Sequence, residues 1–464
     1  MLFSHKHIAL NPALLFIVSF VGLVAIGTIL LSLPFSTVNG IAFIDALFMA
    51  TSSVCITGLV VVDVYNCFTL WGQAIILLLE QSGALGILTF ASYFSFFFKR
   101  GASYETQLAM GSISGTEKIN DVFKTLKQIL IITLSIEFVG CVFIYNSLNA
   151  ALFSSIFDRI FFSVFHAVSA FCNAGFSTLP KGVMEEGYAY NYPFQLSLVF
   201  LFFSGGLGFP IVINILKYIK HVARRIYLHV IYDKKEVYKP WVLTLGSKIN
   251  LVTTLLLAFF GTVVIFISEY GNTLSSHHGA GKFIAALFAS GVARSSGFSA
   301  IDYSQLHASS ALLIMFLMWV GSSPVSTGGG IKTSTFAIAV LNFLSLAQGK
   351  KRIEVFNREI AEVSVHRAFA TIILSVFAIG MGVFLISIFD KGLSLRSIVF
   401  ECTSAYCTVG LSLGITAKLS VAGKLVISLL MFVGRITLLT ILIAFFKQVK
   451  YTNYAYPSEE IIIN

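Results

Sequence analysis

Eight long apolar stretches divide this chain, and no other feature restricts its fold as strongly. They lie at residues 12–33, 68–98, 126–146, 193–219, 249–268, 309–345, 369–389 and 423–446. A helix that crosses the hydrocarbon core of a bilayer needs about 20 apolar residues, which each stretch provides. Hydrophobic residues make up 57% of the 464 residues and charged residues only 11%, a balance that excludes soluble globular and disordered chains. The sequence therefore predicts an all-α polytopic membrane protein.

The eight long stretches form four successive pairs. Between the two stretches of each pair lies a short apolar segment that ends in a glycine turn. The turn glycines are Gly58, Gly175, Gly297 and Gly410, at intervals of 117, 122 and 113 residues, close to a quarter of the chain. Near-equal spacing and equal placement indicate an internal repeat. We therefore expect four pseudo-symmetric units of long helix, re-entrant helix and long helix. Their predicted bounds are 12–100, 124–225, 246–350 and 365–450, between tails at 1–11 and 451–464.

The basic residues predict how these units are oriented. The connections between units and the two tails hold 21 of the 31 Lys and Arg residues. Because cytoplasmic loops of membrane proteins are enriched in Lys and Arg, we expect both termini in the cytoplasm of a multi-pass protein of the plasma (inner) membrane. The four short helices then enter the membrane from outside. The basic residues form no concentrated tail, so no nucleic-acid partner is expected.

The glycine turns indicate what the units surround. Non-helical backbone at membrane depth is tolerated only where it is buried in protein or lines a water-filled path. Rings of backbone carbonyls replace the hydration shell of a cation in selective pores, and glycine permits the necessary turn. Few acidic side chains lie near the four turns, which favours a monovalent cation over calcium. The alternative is that these glycines only allow close helix packing.

Seven motifs connect this pattern with a known family. They are CITGL at 55–59, FCNAGFST at 171–178, SGGLGFP at 204–210, ARSSGFS at 293–299, GSSPVSTGGGIKTST at 321–335, CTVGLS at 407–412 and GRITLLT at 434–440. Together they resemble the membrane subunit of the Trk/Ktr/HKT superfamily of potassium transporters, and the chain length and ending are most similar to the KtrB-type subunit. The resemblance implies four M1–P–M2 units around one central ion path, usually in a homodimer. It also implies a cytosolic RCK-type ring that controls opening and binds ATP, ADP or NAD, which this chain is not expected to bind.

The resemblance assigns a K⁺ selectivity filter to the turns. The expected filter residues are Ile56, Thr57, Gly58, Asn173, Ala174, Gly175, Ser295, Ser296, Gly297, Thr408, Val409 and Gly410. Their carbonyls would hold K⁺ as the transported ion, and Na⁺ as a coupling or activating ion is an expectation of the family alone. The predicted function is K⁺ uptake, and the alternatives are a less selective Na⁺/K⁺ channel or a membrane subunit without transport. Departures from the family pattern occur at Cys55-Ile56, Ser295-Ser296, Val325 and the missing Gly-Pro after Arg435-Ile436.

A gate is expected in the sixth apolar stretch, which is too long for one straight crossing. Its middle part, 321–333, contains Pro324 and three consecutive glycines, which no continuous helix favours. The predicted gating-loop residues are Ser326, Thr327, Gly328, Gly329, Gly330 and Lys332. Arg435 in the last helix would face the same constriction and hold the loop through its carbonyls. The alternative is a static kink that only packs helices.

Other chemistry is not supported by the sequence. GSSPVSTGGGIKT has Ile331 where a P-loop requires glycine before lysine, and no H-E-x-x-H or G-x-S-x-G motif occurs. The six cysteines show no CxxC spacing, so a zinc site or disulfide framework is not expected. We therefore expect a non-enzyme with no covalent cofactor.

Overall fold

The computed structural model describes residues 12–97, 122–232, 244–350 and 352–445. The predicted tails at 1–11 and 451–464 lie outside this part of the chain. The unbroken long helices are Pro12–Ser32 (α1), Leu70–Phe97 (α4), Val122–Ser147 (α5), Leu245–Ser268 (α9) and Glu362–Phe389 (α13). The broken ones are Tyr192–Gly206 (α7) with Phe209–Tyr232 (α8), Ala308–Trp319 (α11) with Thr333–Ala347 (α12), and Val421–Ile436 (α15) with Leu438–Phe445 (α16).

Shorter elements lie between these helices. Four short helices precede the glycine turns: Phe43–Val54 (α2), Ile156–Cys172 (α6), Ala280–Ala293 (α10) and Leu395–Tyr406 (α14). A single helical turn occupies Val64–Cys67 (α3). The strands Glu354–Val355 (β1) and Arg358–Glu359 (β2) pair antiparallel in a small hairpin. Along the chain, a long helix, a short helix and a second long helix follow one another four times, and we number these sets the first to fourth groups.

Three of the eight predicted crossings are interrupted. In the described ranges, three helices are long and apolar enough to cross a membrane, and the bent pair α7–α8 is a fourth candidate. The sequence did not indicate a break in stretch 193–219, where α7 and α8 meet at an angle of 104°. Gly208 has a φ of +83° at the bend, and Pro210 suits the first turn of the helix that follows. A third break lies at Thr437, whose φ is +68°.

The groups pack in a closed order. The helix after each glycine turn contacts the short helix of the next group, in the pairs α4 with α6, α7 with α10, α11 with α14, and α15 with α2. The last pair returns from the fourth group to the first, where Lys424 of α15 and Asp45 of α2 form a salt bridge of 2.5 Å. The four short helices therefore lie at the centre of the molecule, and their last turns are buried.

Glycines allow three of the second long helices to approach the short helix of their own group. The Cα atoms of Gly83, Gly205 and Gly434 each lie against a backbone carbonyl near the end of that helix. These carbonyls belong to Val54, Phe171 and Tyr406. A Cβ atom at any of the three glycines would overlap the carbonyl oxygen. Gly83 and Gly205 thus serve the close packing expected of small residues in membrane helices.

The substitution Gly205→Ala should destabilise the fold. The added methyl group would overlap the carbonyl oxygen of Phe171, which is backbone and cannot rotate away. Overpacking of this kind costs about 1–3 kcal/mol. We expect a lower thermal unfolding midpoint for the purified variant in detergent.

Gly380→Ala is the matched control, since Gly380 lies in α13 with no neighbour within 4 Å of an added Cβ. It should leave the midpoint unchanged or raise it slightly, because alanine favours helix more than glycine does. Equal effects of the two substitutions would contradict the packing role of Gly205.

Candidate ion pathway

The chain leaves each short helix in an unusual backbone conformation. Gly58, Gly175, Gly297 and Gly410 have φ values of +83°, +78°, +71° and +91°. Two residues earlier the φ value is again positive, although none of these residues is glycine. They are Ile56 (57°), Asn173 (61°), Ser295 (144°) and Thr408 (49°). Such conformations cost roughly 1–3 kcal/mol each and persist where the surroundings enforce them, often at functional sites.

The four turns contact one another in a closed ring. We call Ile56–Gly58, Asn173–Gly175, Ser295–Gly297 and Thr408–Gly410 the first to fourth ring segments. The glycine of each segment lies against the carbonyl oxygen of the residue just before the glycine of the next segment. These oxygens belong, in ring order, to Ala174, Ser296, Val409 and Thr57. The contacts run from the first segment to the fourth and back to the first, so the four segments surround a single axis.

Buried hydroxyl groups add to the polar character of the ring. In the described part of the chain, the side-chain oxygens of Thr57, Ser296 and Thr408 are buried without a hydrogen-bond partner. Buried polar groups in proteins normally have a partner, which can be an ion or water. The ring therefore offers hydroxyl oxygens in addition to its backbone carbonyls.

A cavity of about 410 Å³ lies on one side of the ring. All four ring glycines line it, together with Ser177 and Ser412, each two residues beyond a ring glycine. Asp63 and Lys181 also line it. The ring is thus reached from this side through one shared vestibule.

The loop between α11 and α12, residues 320–332, lies against the opposite side of the ring, and we call it the intramembrane loop. Its base is closed where the Gly321 amide donates to Ile331 O (3.0 Å) and the Ile331 amide donates to Trp319 O (3.1 Å). A Cβ at Gly328 would overlap the hydroxyl of Ser295, and one at Gly329 the hydroxyl of Thr408. The loop therefore contacts the third and fourth ring segments directly.

Thr327, at the centre of this loop, also reaches the second ring segment. Its hydroxyl lies 2.6 Å from the side-chain amide of Asn173 and 3.3 Å from Phe171 O. The Arg435 guanidinium donates to the carbonyl of Thr327 and, at 3.3 Å, to that of Gly83 in the first group. The structure thus brings Arg435 and the loop together.

The remaining predicted loop residues bond within the loop. Lys332 Nζ donates to Gly328 O at 2.6 Å, and the Ser326 hydroxyl donates to Ser323 O at 2.6 Å. Gly330 has a φ of +70° and packs against the end of α11. Lys332 therefore stays folded onto its own loop in this conformation.

Arg294 is a site residue that the sequence reasoning missed. It is buried, and its guanidinium donates to Gly321 O (3.2 Å) and Thr254 O (3.2 Å). Arg294 thus holds the beginning of the intramembrane loop, as Arg435 holds its middle. A signal was present, because the third residue before the ring glycine is cysteine in the other three groups.

The bend between α7 and α8 also supports the loop. The Ser323 amide donates to Gly206 O (3.0 Å), and the Phe209 amide donates to Val325 O (3.2 Å). The second group therefore holds the loop through backbone groups that the break at Gly208 leaves without helical partners.

Sequence comparisons find similar proteins among cation transporters. The sequence model of the TrkH family, described as cation transport protein, matches residues 6–454. The Ktr system potassium uptake protein B of Bacillus subtilis (strain 168) is 32% identical over 98% of this chain and 97% of its own length. The potassium/sodium uptake protein NtpJ of Enterococcus hirae is 33% identical over 98% and 97%.

A solved structure supports the fold. The potassium transporter TrkH from Vibrio parahaemolyticus superimposes with a TM-score of 0.72 at 17% identity, over 96% of this chain and 86% of that one. The resemblance to the Trk/Ktr/HKT superfamily is confirmed. The chain belongs to the TrkH family of cation transport proteins.

Proposed function

We propose that this chain is the ion-translocating membrane subunit of a potassium uptake system. The observation that carries the proposal is the closed ring of four glycine segments, with a vestibule on one side and a loop across the other. Relatives named as potassium uptake proteins, each about a third identical over nearly the full length, support K⁺ as the ion.

The architecture that we propose is four pseudo-symmetric M1–P–M2 repeats around one central path. The repeats correspond to 12–100, 124–225, 246–350 and 365–450, of which residues 98–100 and 446–450 lie outside the described ranges. The recurring helix order and the cyclic packing of each second long helix on the next short helix support this division. Orientation follows the basic residues, with both termini in the cytoplasm and the vestibule outside the plasma (inner) membrane.

In this proposal the ring is the selectivity filter. The carbonyls of the twelve ring-segment residues replace the water around K⁺, as carbonyl rings do in selective pores. A cation that enters along a membrane potential of 100 mV gains about 2.3 kcal/mol per charge. This gain in free energy drives K⁺ into the cell, so transport needs no nucleotide-binding site on this chain as a source of energy.

The intramembrane loop is the gate in this proposal. It lies directly beneath two ring segments, and two buried arginines hold it through backbone carbonyls. The positive charges of Lys332 and Arg435 oppose a cation that leaves the ring. We also propose that the chain forms a homodimer and that a cytosolic RCK-type ring acts on this loop. The relatives' description as parts of a Ktr system supports a separate partner.

A less selective Na⁺/K⁺ channel is the second candidate. The relative from Enterococcus hirae is named a potassium/sodium uptake protein, which favours some role for Na⁺. The ratio of K⁺ to Na⁺ flux through the purified, reconstituted protein separates the two functions. Sodium as a coupling or activating ion would instead appear as K⁺ flux that depends on Na⁺.

Expression of the chain should restore growth of cells that lack their own potassium uptake when external K⁺ is low. The ring gives K⁺ a path and the membrane potential supplies the driving force. Growth is measured across a series of K⁺ concentrations, with the empty vector as control and with or without an RCK-type partner. Lack of growth in both cases, despite protein in the membrane, would count against K⁺ uptake.

The substitution Gly58→Ser should weaken discrimination between K⁺ and Na⁺. The glycine has a φ of +83°, and a side chain there would overlap the carbonyl oxygen of Ala174. One wall of the ring must therefore shift. We expect a several-fold drop in the K⁺/Na⁺ preference in ion competition assays. Gly297→Ser should have the same effect.

Gly40→Ser is the matched control for these variants. Gly40 has a similar φ of +78°, but no neighbour lies within 4 Å of an added Cβ. This substitution strains the backbone equally and should leave ion preference unchanged. An unaltered K⁺/Na⁺ preference in both ring variants would refute the filter assignment.

Deletion of residues 326–330 should raise ion flux and loosen control by a cytosolic partner. It removes the part of the loop that contacts the ring, and all residues of the ring segments stay in the chain. Flux is measured in liposomes, and the K⁺/Na⁺ preference should remain that of the intact protein.

Two point variants test the same idea without shortening the chain. Thr327→Ala removes the contact with Asn173, whereas Ser326→Ala removes only a hydrogen bond inside the loop. We expect higher flux for the first and little change for the second. A folded deletion variant with lower or unchanged flux would show that the loop is not the gate.

A further inference from the structure

The residue nine positions before each ring glycine is fully buried in the middle of a short helix. The four residues are Met49, His166, Phe288 and Glu401. Two are apolar and two carry groups that can be charged, although all four have 0% exposure. A buried polar side chain is unfavourable unless it is hydrogen-bonded. The partners of His166 and Glu401 therefore indicate why they are there.

His166 bonds the chain just beyond the second ring segment. Its Nδ1 lies 2.9 Å from Phe162 O, which can only accept, so Nδ1 carries the hydrogen. In the neutral ring, Nε2 is then an acceptor, and the Ser177 hydroxyl donates to it at 2.9 Å. Ser177 Oγ also accepts from the Leu179 amide at 3.1 Å. The imidazole thus sets the position and direction of Ser177, two residues after Gly175.

Glu401 makes the corresponding connection in the fourth group. Its carboxylate accepts from the hydroxyl of Thr416. The oxygen of that hydroxyl lies 3.0 Å from Ser412 Oγ, and Ser412 Oγ accepts from the Gly414 amide at 2.9 Å. Ser412 is the second residue after Gly410, as Ser177 is after Gly175. In both groups, the residue nine positions before the ring glycine therefore supports the serine two positions after it.

The two supports face each other across the ring. The contacts of the ring glycines run from the first segment through the second and third to the fourth, so the second and fourth lie on one diagonal. Both serines line the vestibule of about 410 Å³. On the other diagonal, the supporting positions hold Met49 and Phe288, whose side chains offer no hydrogen bond.

We infer that His166 and Glu401 are positioning residues for ion selection. They hold the vestibule ends of the second and fourth ring segments through Ser177 and Ser412. The width of the outermost ion position is thereby set along one diagonal of the ring. This inference rests on the proposed function of the ring as a K⁺ filter.

The test is K⁺/Na⁺ competition in liposomes with the full-length protein. Glu401→Leu and His166→Phe remove the bonds and keep the positions filled, and each should lower the K⁺/Na⁺ preference by about 3- to 10-fold, as expected for one lost hydrogen bond. Glu401→Gln keeps an acceptor for Thr416 and should restore most of the preference. Met49→Leu, at the same position in the first group, should change nothing.

A double-substitution cycle separates positioning from general stabilisation. Ser177→Ala should lower the preference as His166→Phe does, and the double variant should lose no more than either single one, because both remove the same bond. If the variants of the buried residues do not fold, Ser177→Ala and Ser412→Ala test the inference in their place, and each should lower the K⁺/Na⁺ preference.

The outcomes distinguish this inference from the function beneath it. A wild-type protein without selective K⁺ flux would overturn the proposed filter and this inference together. A selective wild type whose Ser177, Ser412, His166 and Glu401 variants keep its preference would overturn the inference alone. Additive losses in the double variant would assign the residues to stability instead.

Discussion

The whole arrangement depends on contact between a glycine Cα and a carbonyl oxygen of the neighbouring ring segment. In the proposed pathway, the four irregular segments lie within the membrane and must shield their polar backbone from lipid, which offers it no hydrogen bonds. They do so by packing on one another, which only a residue without Cβ permits at these distances. The same contact recurs one layer further out, where Gly83, Gly205 and Gly434 lie against carbonyls at the ends of the short helices. Two layers of glycine contacts therefore determine how closely the helices surround the axis.

Cationic side chains beneath the ring complete this design. Arg294, Lys332 and Arg435 donate to carbonyls of the intramembrane loop and not to an acidic side chain. In the described part of the chain, the Nε atoms of both arginines are buried without a hydrogen-bond partner. Hydrogen bonds to carbonyls leave the positive charge uncompensated. In the proposed pathway, a cation passing the ring meets this charge, and the loop has to move before ions can flow.

The sequence predicted the coarse fold well and the local geometry less well. The lengths of the apolar stretches and the spacing of four glycines predicted the short helices, because each glycine turn lies between two long apolar stretches. The bend at Gly208 was missed, because SGGLGFP sits inside a stretch that is apolar throughout. The positive φ of Ile56 could not be expected either, since β-branched residues disfavour that conformation and only the packed ring imposes it. The bonds of His166 and Glu401 depend on residues 11 and 15 positions away, which periodicity does not connect. The filter and gate assignments remain predictions.

The third ring segment differs from the others in what holds it. Six residues before the ring glycine, three groups have a serine that bonds the backbone at or directly after the end of its own ring segment. Ser52 donates to Leu59 O, Ser169 donates to Phe176 O, and Ser404 accepts from the Gly410 amide. The third group has Gly291 there and lacks this bond. Its segment is bonded to the intramembrane loop instead, through the Ser295 and Ser322 hydroxyls 2.7 Å apart. The third ring segment is therefore bonded to the loop through a pair of hydroxyls, in place of the serine bond that each of the other three groups makes within itself. If the loop moves to open the path, the third segment loses this bond and the second loses the contact between Asn173 and Thr327, which couples the proposed gate to the proposed filter.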